Sequence, residues 1–519
     1  MPMRARRGLL LLAAILIGAP SPAQDDFSAR IQRTVASGDL QQALALAAEW
    51  IEAEPDDPAA LTTHGALAMR CGAYEEAVES YEAARFFADT AEVATRLGDA
   101  LLELGRAGLA LDSYRHALGL DDTLVAAHVG TGRALLAMDG DATAARLCLQ
   151  SALAIDPESA EAKVALAEVD VAQWRLSEAR QALREVTKSH PQTAAAWLLL
   201  GRLTNEAGDL PKAREYWERY AELEPARPET WLLHHDLLPS RPRTIPIRGS
   251  YFVLSPDGTK LAYVGAGAEA NQQVLLIDAE GKGEPRTVCQ LPGRPMGVAW
   301  SPDGKRLVIR SYERVEKDGK REWEYTLTTT DLAAQDLRTV IRDKYLGMPV
   351  YMPEGERLCF DAPLPRRGRV LVVCEDRADA TIEHLAACPQ GTYAQWLNWS
   401  RDGATLAAGT YGYTPVGHYD LVTFPATNMS APVTLYSTQE AIYYPTVTPD
   451  GKTVVFLQMD DQRNLALLCV DVGVPSQRAR LMLRDSLSAA PPSLSPDGKS
   501  LLTYRASGLT VYRLVGLNG

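Results

Sequence analysis

Six acidic residues recur at a regular spacing in the second half of the chain and are the first candidates for chemistry. Each stands in a segment of the Ser-Pro-Asp-Gly type, and the six are Asp257, Asp303, Glu354, Asp402, Asp450 and Asp497. Carboxylates can bind calcium or transfer protons, so both roles must be weighed. Because one acid stands in every copy of a repeat, and Asp shapes tight turns, we predict a role in turns instead.

Other residue patterns that carry chemistry are missing from the sequence. It lacks the serine-hydrolase elbow, the His-Glu-x-x-His zinc motif, the phosphate-binding Walker loop and the dinucleotide fingerprint. The eight His are dispersed, and the seven Cys form no Cys-x-x-Cys pair. In an oxidising compartment, one disulfide bridge among Cys359, Cys374 and Cys388 is an alternative to three free thiols. We therefore predict no catalytic residue, no metal site, no cofactor and no enzymatic activity.

Residues 1–23 have the pattern of a secretory signal peptide. A basic start precedes an apolar run from Leu9 to Ile17 and small residues up to Ala23. The run is shorter than the roughly 20 residues that a membrane-spanning helix needs, so an uncleaved anchor is disfavoured. We predict cleavage after Ala23 and a periplasmic or secreted protein without an integral membrane segment.

The length and charge of the chain indicate several domains and argue against a nucleic-acid partner. The chain has 519 residues and a formal net charge of −13. The charge is uneven, because residues 24–239 hold 36 acidic and 19 basic residues, whereas residues 240–519 hold 30 and 31. Phosphate backbones attract clustered Lys and Arg, which this balance does not provide.

The elements of the acidic half repeat about every 34 residues. Small residues such as Gly98 and large aromatic residues such as Tyr114 recur at fixed positions in six copies between residues 24 and 227. The spacing predicts pairs of antiparallel helices, with the aromatic ring filling the gap to the next pair. A short helix from Pro228 to Leu238 is predicted to cap the array. This half resembles the tetratricopeptide repeat family.

That resemblance implies a right-handed α-superhelix whose first helices form a groove for peptides or partner helices. The groove positions carried over to this chain are Thr62, Ala66, Thr95, Asp99, Val129, Arg133, Val164, Glu168, Leu198 and Arg202. We expect apolar contacts to bind a protein segment there and Arg133 and Arg202 to orient it. The alternative is that the superhelix is only a spacer and that these residues form its solvent-facing surface without binding a partner.

The neutral half carries a second and longer repeat, in which each turn segment lies between two short strands. Six such copies, 46 to 51 residues apart, predict a six-bladed β-propeller. The repeats resemble the TolB-type, WD-like propellers of bacterial envelope proteins. We assign residues 24–238 to the helical domain, 239–249 to a linker and closing strand, and 250–519 to the propeller.

Blade two departs from the repeat through a long charged hairpin between Arg310 and Thr328. Trp323 and Tyr325, beside Arg321, are candidate anchors for a partner, because exposed aromatic residues beside Arg favour interfaces. A solubilising ribbon is an equal alternative. In blade three, the turn that contains Arg366, Arg367 and Arg369 is predicted to be solvated.

The leading hypothesis is an exported, non-catalytic scaffold of the bacterial cell envelope. Proteins with such repeats assemble or maintain the envelope, which is what the resemblance implies. The partners would be envelope proteins or peptide segments. The alternative is a propeller enzyme, a hydrolase or lyase acting on a carbohydrate or peptide, with the helical repeats as a recruiting arm.

Overall fold

The protein is described here by a computed structural model. It describes residues 22–516 with gaps at 140, 241, 266–272, 318, 365–367, 390–391, 414–415, 461–462, 464, 478, 485–486, 488–490 and 506–507. Residues 1–21 of the predicted signal peptide lie outside the described residues. The chain divides into two compact units, and the boundary between them follows Thr193.

Among the described residues, helices form the first unit and the start of the second. The thirteen helices within the described residues are α1 (Pro22–Ala36), α2 (Leu40–Ala53), α3 (Pro58–Arg70), α4 (Tyr74–Phe87), α5 (Ala91–Glu103), α6 (Ala107–Leu120), α7 (Val125–Asp139), α8 (Ala142–Ile155), α9 (Ala160–Ala172), α10 (Leu176–Ser189), α11 (Ala194–Glu206), α12 (Leu210–Leu223) and α13 (Pro228–His234). They confirm six helical hairpins followed by a short capping helix.

The packing within the hairpins explains why Gly and Tyr recur. A Cβ atom on Gly98 of α5 would lie 2.6 Å from the ring of Tyr114 on α6, closer than real contacts allow. The same ring lies against Gly130 of α7, in the following hairpin. Tyr114 is fully buried between these helices. Each large ring therefore needs glycine on the facing helices, which is the physical origin of the repeat.

The turn between α9 and α10 departs from its counterparts. Gly72, Gly105 and Gly208 hold the equivalent position with φ of 73°, 71° and 91°, a left-handed conformation that suits glycine. In the fifth hairpin Trp174 takes this place with φ of 61°, and its side chain is 72% exposed. A bulky residue is disfavoured in this conformation, so this turn is locally strained.

The remainder of the second unit is a six-bladed propeller of antiparallel sheets. Blade one holds β3 (Gly249–Leu254), β4 (Lys260–Gly265), β5 (Gln273–Asp278) and β6 (Arg286–Gln290). Blade two holds β7 (Arg294–Trp300), β8 (Arg306–Lys317), β9 (Lys320–Asp331) and β10 (Arg338–Asp343). Blade three holds β11 (Val350–Tyr351), β12 (Arg357–Leu364), β13 (Gly368–Glu375) and β14 (Glu383–Ala386).

Blades four to six follow the same order. Blade four holds β15 (Thr392–Trp399), β16 (Thr405–Tyr413), β17 (Val416–Pro425) and β18 (Val433–Thr438), blade five holds β19 (Ala441–Val447), β20 (Thr453–Met459), β21 (Leu465–Asp471) and β22 (Arg480–Arg484), and blade six holds β23 (Ser493–Leu494), β24 (Ser500–Arg505) and β25 (Gly508–Val515). β1 (Leu238–Pro239) and β2 (Arg243–Ile245) both pair with β25 and supply its outer neighbour.

Five of the six acids in the repeated turns accept hydrogen bonds within those turns, whereas Glu354 pairs with Arg357. Oδ1 of Asp257 accepts hydrogen bonds from Oγ of Ser255 at 2.5 Å and from the backbone N–H of Thr259 at 3.0 Å. These bonds favour the ionised carboxylate and lower the pKa of Asp257 to about 2. Asp303, Asp402, Asp450 and Asp497 make the same pair of bonds in their own turns.

The second compact unit contains more than the propeller. Its core joins Trp217 and Leu233 from the last helices to Tyr512 and Leu514 of β25, all at most 4% exposed. The unit begins at Ala194, whereas the sequence analysis places the domain boundary after residue 238. The last hairpin and the capping helix therefore share a hydrophobic core with the propeller.

Candidate interaction surfaces

The predicted groove positions in the first unit divide into buried and accessible residues. Thr95 and Val129 are 4% exposed, and the Thr95 hydroxyl donates to the Ala91 carbonyl at 2.8 Å. Val164 is fully buried, while Thr62 is half-buried and donates to its own helix. Thr95, Val129 and Val164 pack between helices, so these three side chains offer a partner little surface.

Asp99, Arg133 and Glu168 occupy the accessible positions and form a row of alternating charge. Nε and Nη2 of Arg133 donate to the two carboxylate oxygens of Glu168 at 3.0 and 3.2 Å. Asp99 accepts a hydrogen bond from the hydroxyl of Tyr114 at 2.8 Å. Although solvent reaches Asp99, the surrounding protein desolvates the carboxylate and raises its pKa to about 6. Arg133 is thus already paired, and an acidic partner would compete with Glu168.

The two remaining groove candidates, Leu198 and Arg202, lie on α11 in the second compact unit. Both are half-buried. Nε of Arg202 is buried and has no hydrogen-bond partner among the described residues.

The charged hairpin of blade two has two chemically different faces. Cross-strand pairing places Tyr312 opposite Tyr325 and Arg314 opposite Trp323 on one face. The Arg314 guanidinium lies 4.6 Å from the Trp323 ring centroid, and the Tyr312 and Trp323 rings are 5.2 Å apart. The other face is ionic, with Lys317 and Glu324 paired at 2.6 Å. Arg321 is exposed further along the hairpin.

Blade three continues the aromatic face through Arg369. Its guanidinium lies 4.0 Å from the ring centroid of Tyr345 and 3.5 Å from that of Tyr393. It forms an ion pair with Asp361, whose side chain is only 3% exposed. Burial raises the pKa of Asp361 to about 6, against the attraction of the guanidinium. The prediction of a solvated turn was wrong for Arg369, while Arg366 and Arg367 lie outside the described residues.

Blade four completes this surface with three tyrosines. Tyr393, Tyr411 and Tyr419 face each other directly on three neighbouring strands, with ring centroids 5.7 and 4.9 Å apart. Tyr325 and Tyr345, 6.1 Å apart, connect blade two to blade three. We name the whole set the aromatic–arginine seam, and its members are Tyr312, Trp323, Tyr325, Tyr345, Arg369, Tyr393, Tyr411 and Tyr419.

The innermost strands carry a second group of unusual aromatic residues. Tyr251, Trp396 and Tyr444 stand four residues before the turns of blades one, four and five, with φ of 54°, 53° and 49°. Each lies at a shift in strand register, so β-bulges re-aim these side chains. The Trp396 and Tyr444 rings are 4.1 Å apart. Nε1 of Trp396 is buried without a hydrogen-bond partner among the described residues.

Only part of the aromatic–arginine seam is predictable from the sequence. Residues two apart in a strand share a face, so alternation groups Tyr312 with Arg314 on β8 and Trp323 with Tyr325 on β9. The tight turn between Lys317 and Lys320 sets the pairing that places the two groups on the same face. No local signal joins Tyr345, Arg369 and Tyr411. They meet only because blades two, three and four pack side by side.

The described part of the chain holds neither a cluster of metal-binding side chains nor a membrane-spanning helix. There, no group of three or more His, Cys, Asp or Glu side chains is placed to hold a metal ion. Its helices are all too short or too polar to cross a bilayer. All seven cysteines are described and are free thiols, and burial raises the pKa of Cys374 and of Cys388 to about 12.

The helical repeats match known family models. Two models of the tetratricopeptide repeat match the chain, one over residues 95–160 and one over residues 136–203. Together with the six sheets, they establish that the chain combines tetratricopeptide repeats with a six-bladed propeller.

Proteins that resemble the chain have diverse names. Dipeptidyl-peptidase 5 of Porphyromonas endodontalis is 24% identical over 226 residues, which cover 39% of this chain and only 28% of the peptidase. A solved oligogalacturonate lyase in complex with manganese is 18% identical, covers 51% of this chain and 78% of its own, and has a TM-score of 0.39. A putative TolB from Agrobacterium tumefaciens is 16% identical over 52% of this chain and 96% of its own, with a TM-score of 0.38.

Proposed function

We propose that this protein is an exported, non-catalytic scaffold of the bacterial cell envelope that binds protein segments through two surfaces. The fold supports a protein-interaction scaffold, because tetratricopeptide repeats present extended binding faces. The observation that carries the proposal is the aromatic–arginine seam, which runs across three successive blades. Tyr, Trp and Arg are the residue types that contribute most of the binding energy at protein interfaces.

The seam is prepared to receive a partner without major rearrangement. Its rings are half-buried and held by neighbouring rings, and Trp323 at its end is 45% exposed. Tyr and Trp lose little side-chain entropy on binding, since each has only two rotatable side-chain bonds. The guanidinium of Arg369 is fixed by Asp361 and two rings, so it too is ordered before binding. A protein segment would gain apolar contact at small entropic cost.

The second surface is the row of Asp99, Arg133 and Glu168 on the helical repeats. Its alternating charges favour a segment with complementary alternation over a uniformly charged one. Export to the periplasm rests on the sequence of residues 1–23, and sequencing of the mature N-terminus tests it. We expect Gln24 as the first residue, and an intact N-terminus would contradict export by cleavage.

Site-specific photocrosslinking tests the use of the seam. A photoreactive amino acid is placed at Trp323 or Tyr411 in the native host, and crosslinked proteins are identified by mass spectrometry. Leu337, 49% exposed between β9 and β10 at the opposite end of blade two, is the matched control position. We expect one partner from both seam positions and none from Leu337. Equal crosslinking from Leu337, or no crosslinking from the seam positions, would contradict the proposal.

A further inference from the structure

A cavity of about 700 Å³ lies within the second compact unit, between the last helices and the propeller. Its walls come from α12, from the end of α13, from the turns of blades five and six, and from the end of β25. The volume is in the range of small-molecule sites. The sequence does not predict this cavity, because residues from both halves of the chain form its walls.

Four cationic side chains line this cavity, namely Arg214, Lys452, Lys499 and Arg513. Among the described residues no ion pair joins any of them to a carboxylate. Lys452 and Lys499 directly follow the glycines of two successive blade turns, which places both residues in the lining of the same cavity. Like charges that lie near each other repel unless an anion joins them.

Two of the three acidic residues in the lining, Asp450 and Asp497, are bonded within their own turns, and the third is Asp236. Oδ1 of Asp450 accepts from Oγ1 of Thr448 at 2.6 Å and from the backbone of Lys452 at 3.1 Å. Oδ1 of Asp497 accepts from Ser495 at 2.5 Å and from the backbone of Lys499 at 3.0 Å. These bonds orient the two carboxylates within their turns, and the lining as a whole holds four cationic side chains against three carboxylates.

The walls of the cavity are held in place by the fold. β1 pairs with β25, with Leu238 opposite Val515. Nε of Arg214 donates to the carbonyl of Gly516 at 3.3 Å, which fixes the guanidinium beside the end of β25. A Cβ atom on Gly516 would collide with Asp236 and with the backbone of Leu233, so helix and strand are in tight contact. The cavity is therefore formed before any ligand binds.

We propose that this cavity binds a small oxyanion with at least two negative charges, carried by carboxylate or phosphate groups. The four cations bind the charged groups, and Leu210, Leu494 and Leu514 of the lining pack against the carbon framework. The proposal is independent of the scaffold role, because it concerns neither the seam nor the row on the helical repeats.

Isothermal titration calorimetry on the mature full-length chain tests the proposal. Citrate supplies carboxylates, pyrophosphate supplies phosphates, and glucose is the neutral probe. We expect one equivalent of citrate or pyrophosphate to bind, glucose to leave no signal, and Lys452→Gln and Lys499→Gln each to weaken binding about tenfold. Whichever anion binds identifies the chemical source of the charge.

Lys305→Gln is the matched control, because Lys305 follows the glycine of the blade-two turn but does not line the cavity. It should bind the anion as the wild type does. Failure of both anions to bind at millimolar concentration would overturn the proposal. Equal weakening by Lys305→Gln would also overturn it, because binding would then reflect only the general surface charge.

Discussion

Nε and Nη2 of Arg369 both donate to Oδ2 of Asp361, at distances of 2.9 and 2.6 Å. The pair lies beneath the rings of Tyr345 and Tyr393, which enclose the guanidinium from two sides. A buried carboxylate thus orients the cation that joins the aromatic residues of blades three and four. The stability of the propeller and the geometry of its candidate binding surface depend on the same contact.

Replacing Arg369 should destabilise the propeller. In Arg369→Met the carboxylate of Asp361 stays buried without its cation, and breaking one half of a buried pair costs about 3 kcal/mol. Chemical denaturation followed by tyrosine and tryptophan fluorescence measures the loss. The double variant Asp361→Asn/Arg369→Met should recover part of it, because the uncompensated charge is removed. A loss below about 1 kcal/mol in the single variant would show that solvent screens the pair.

The same carboxyl should make stability depend on pH. The pKa of Asp361 is about 6 in the folded protein, compared with 3.8 for an unperturbed aspartate. Between these values the folded state binds more protons than the unfolded state, so the stability contributed by Asp361 falls as the pH rises from 4 to 6. The wild type should lose roughly 2–3 kcal/mol over this interval relative to Asp361→Asn. Parallel pH profiles of the two proteins would contradict the assignment.

Trp174→Gly should stabilise the helical repeats. Trp174 has a left-handed backbone conformation and a largely exposed ring, so glycine would relieve strain and lose little packing. We expect a gain of about 1 kcal/mol, observed as a higher midpoint of thermal unfolding. Trp174→Ala is the control, because it removes the ring but keeps a Cβ atom in the strained conformation. A gain as large in Trp174→Ala would attribute the effect to the ring instead.

The position of a truncation should decide whether the propeller remains stable. A fragment of residues 194–519 keeps Trp217, Leu232 and Leu233 over the apolar ends of blades five and six. A fragment of residues 239–519 loses all three, and each buried apolar side chain contributes roughly 2 kcal/mol. We expect the longer fragment to unfold cooperatively by calorimetry and the shorter one to unfold at a clearly lower temperature. Equal melting temperatures of the two fragments would show that the propeller domain begins after residue 238.

The sequence by itself determined the repeats, because the contacts that produce them are local. Gly98 and Tyr114 face each other within one hairpin, and Asp257 bonds to residues two positions away. Such contacts recur at each period, so spacing alone predicts the hairpins, the blade turns and the number of blades.

Only the tertiary structure decided where the candidate sites lie. Arg369 reads as one residue of a basic turn, yet neighbouring blades enclose its guanidinium between two rings. Lys452 and Lys499 occupy the same turn position as Lys305, yet only these two line the cavity beside the last helices. The physical reason is that these environments arise from packing between residues far apart in the chain, which a repeated local pattern does not encode.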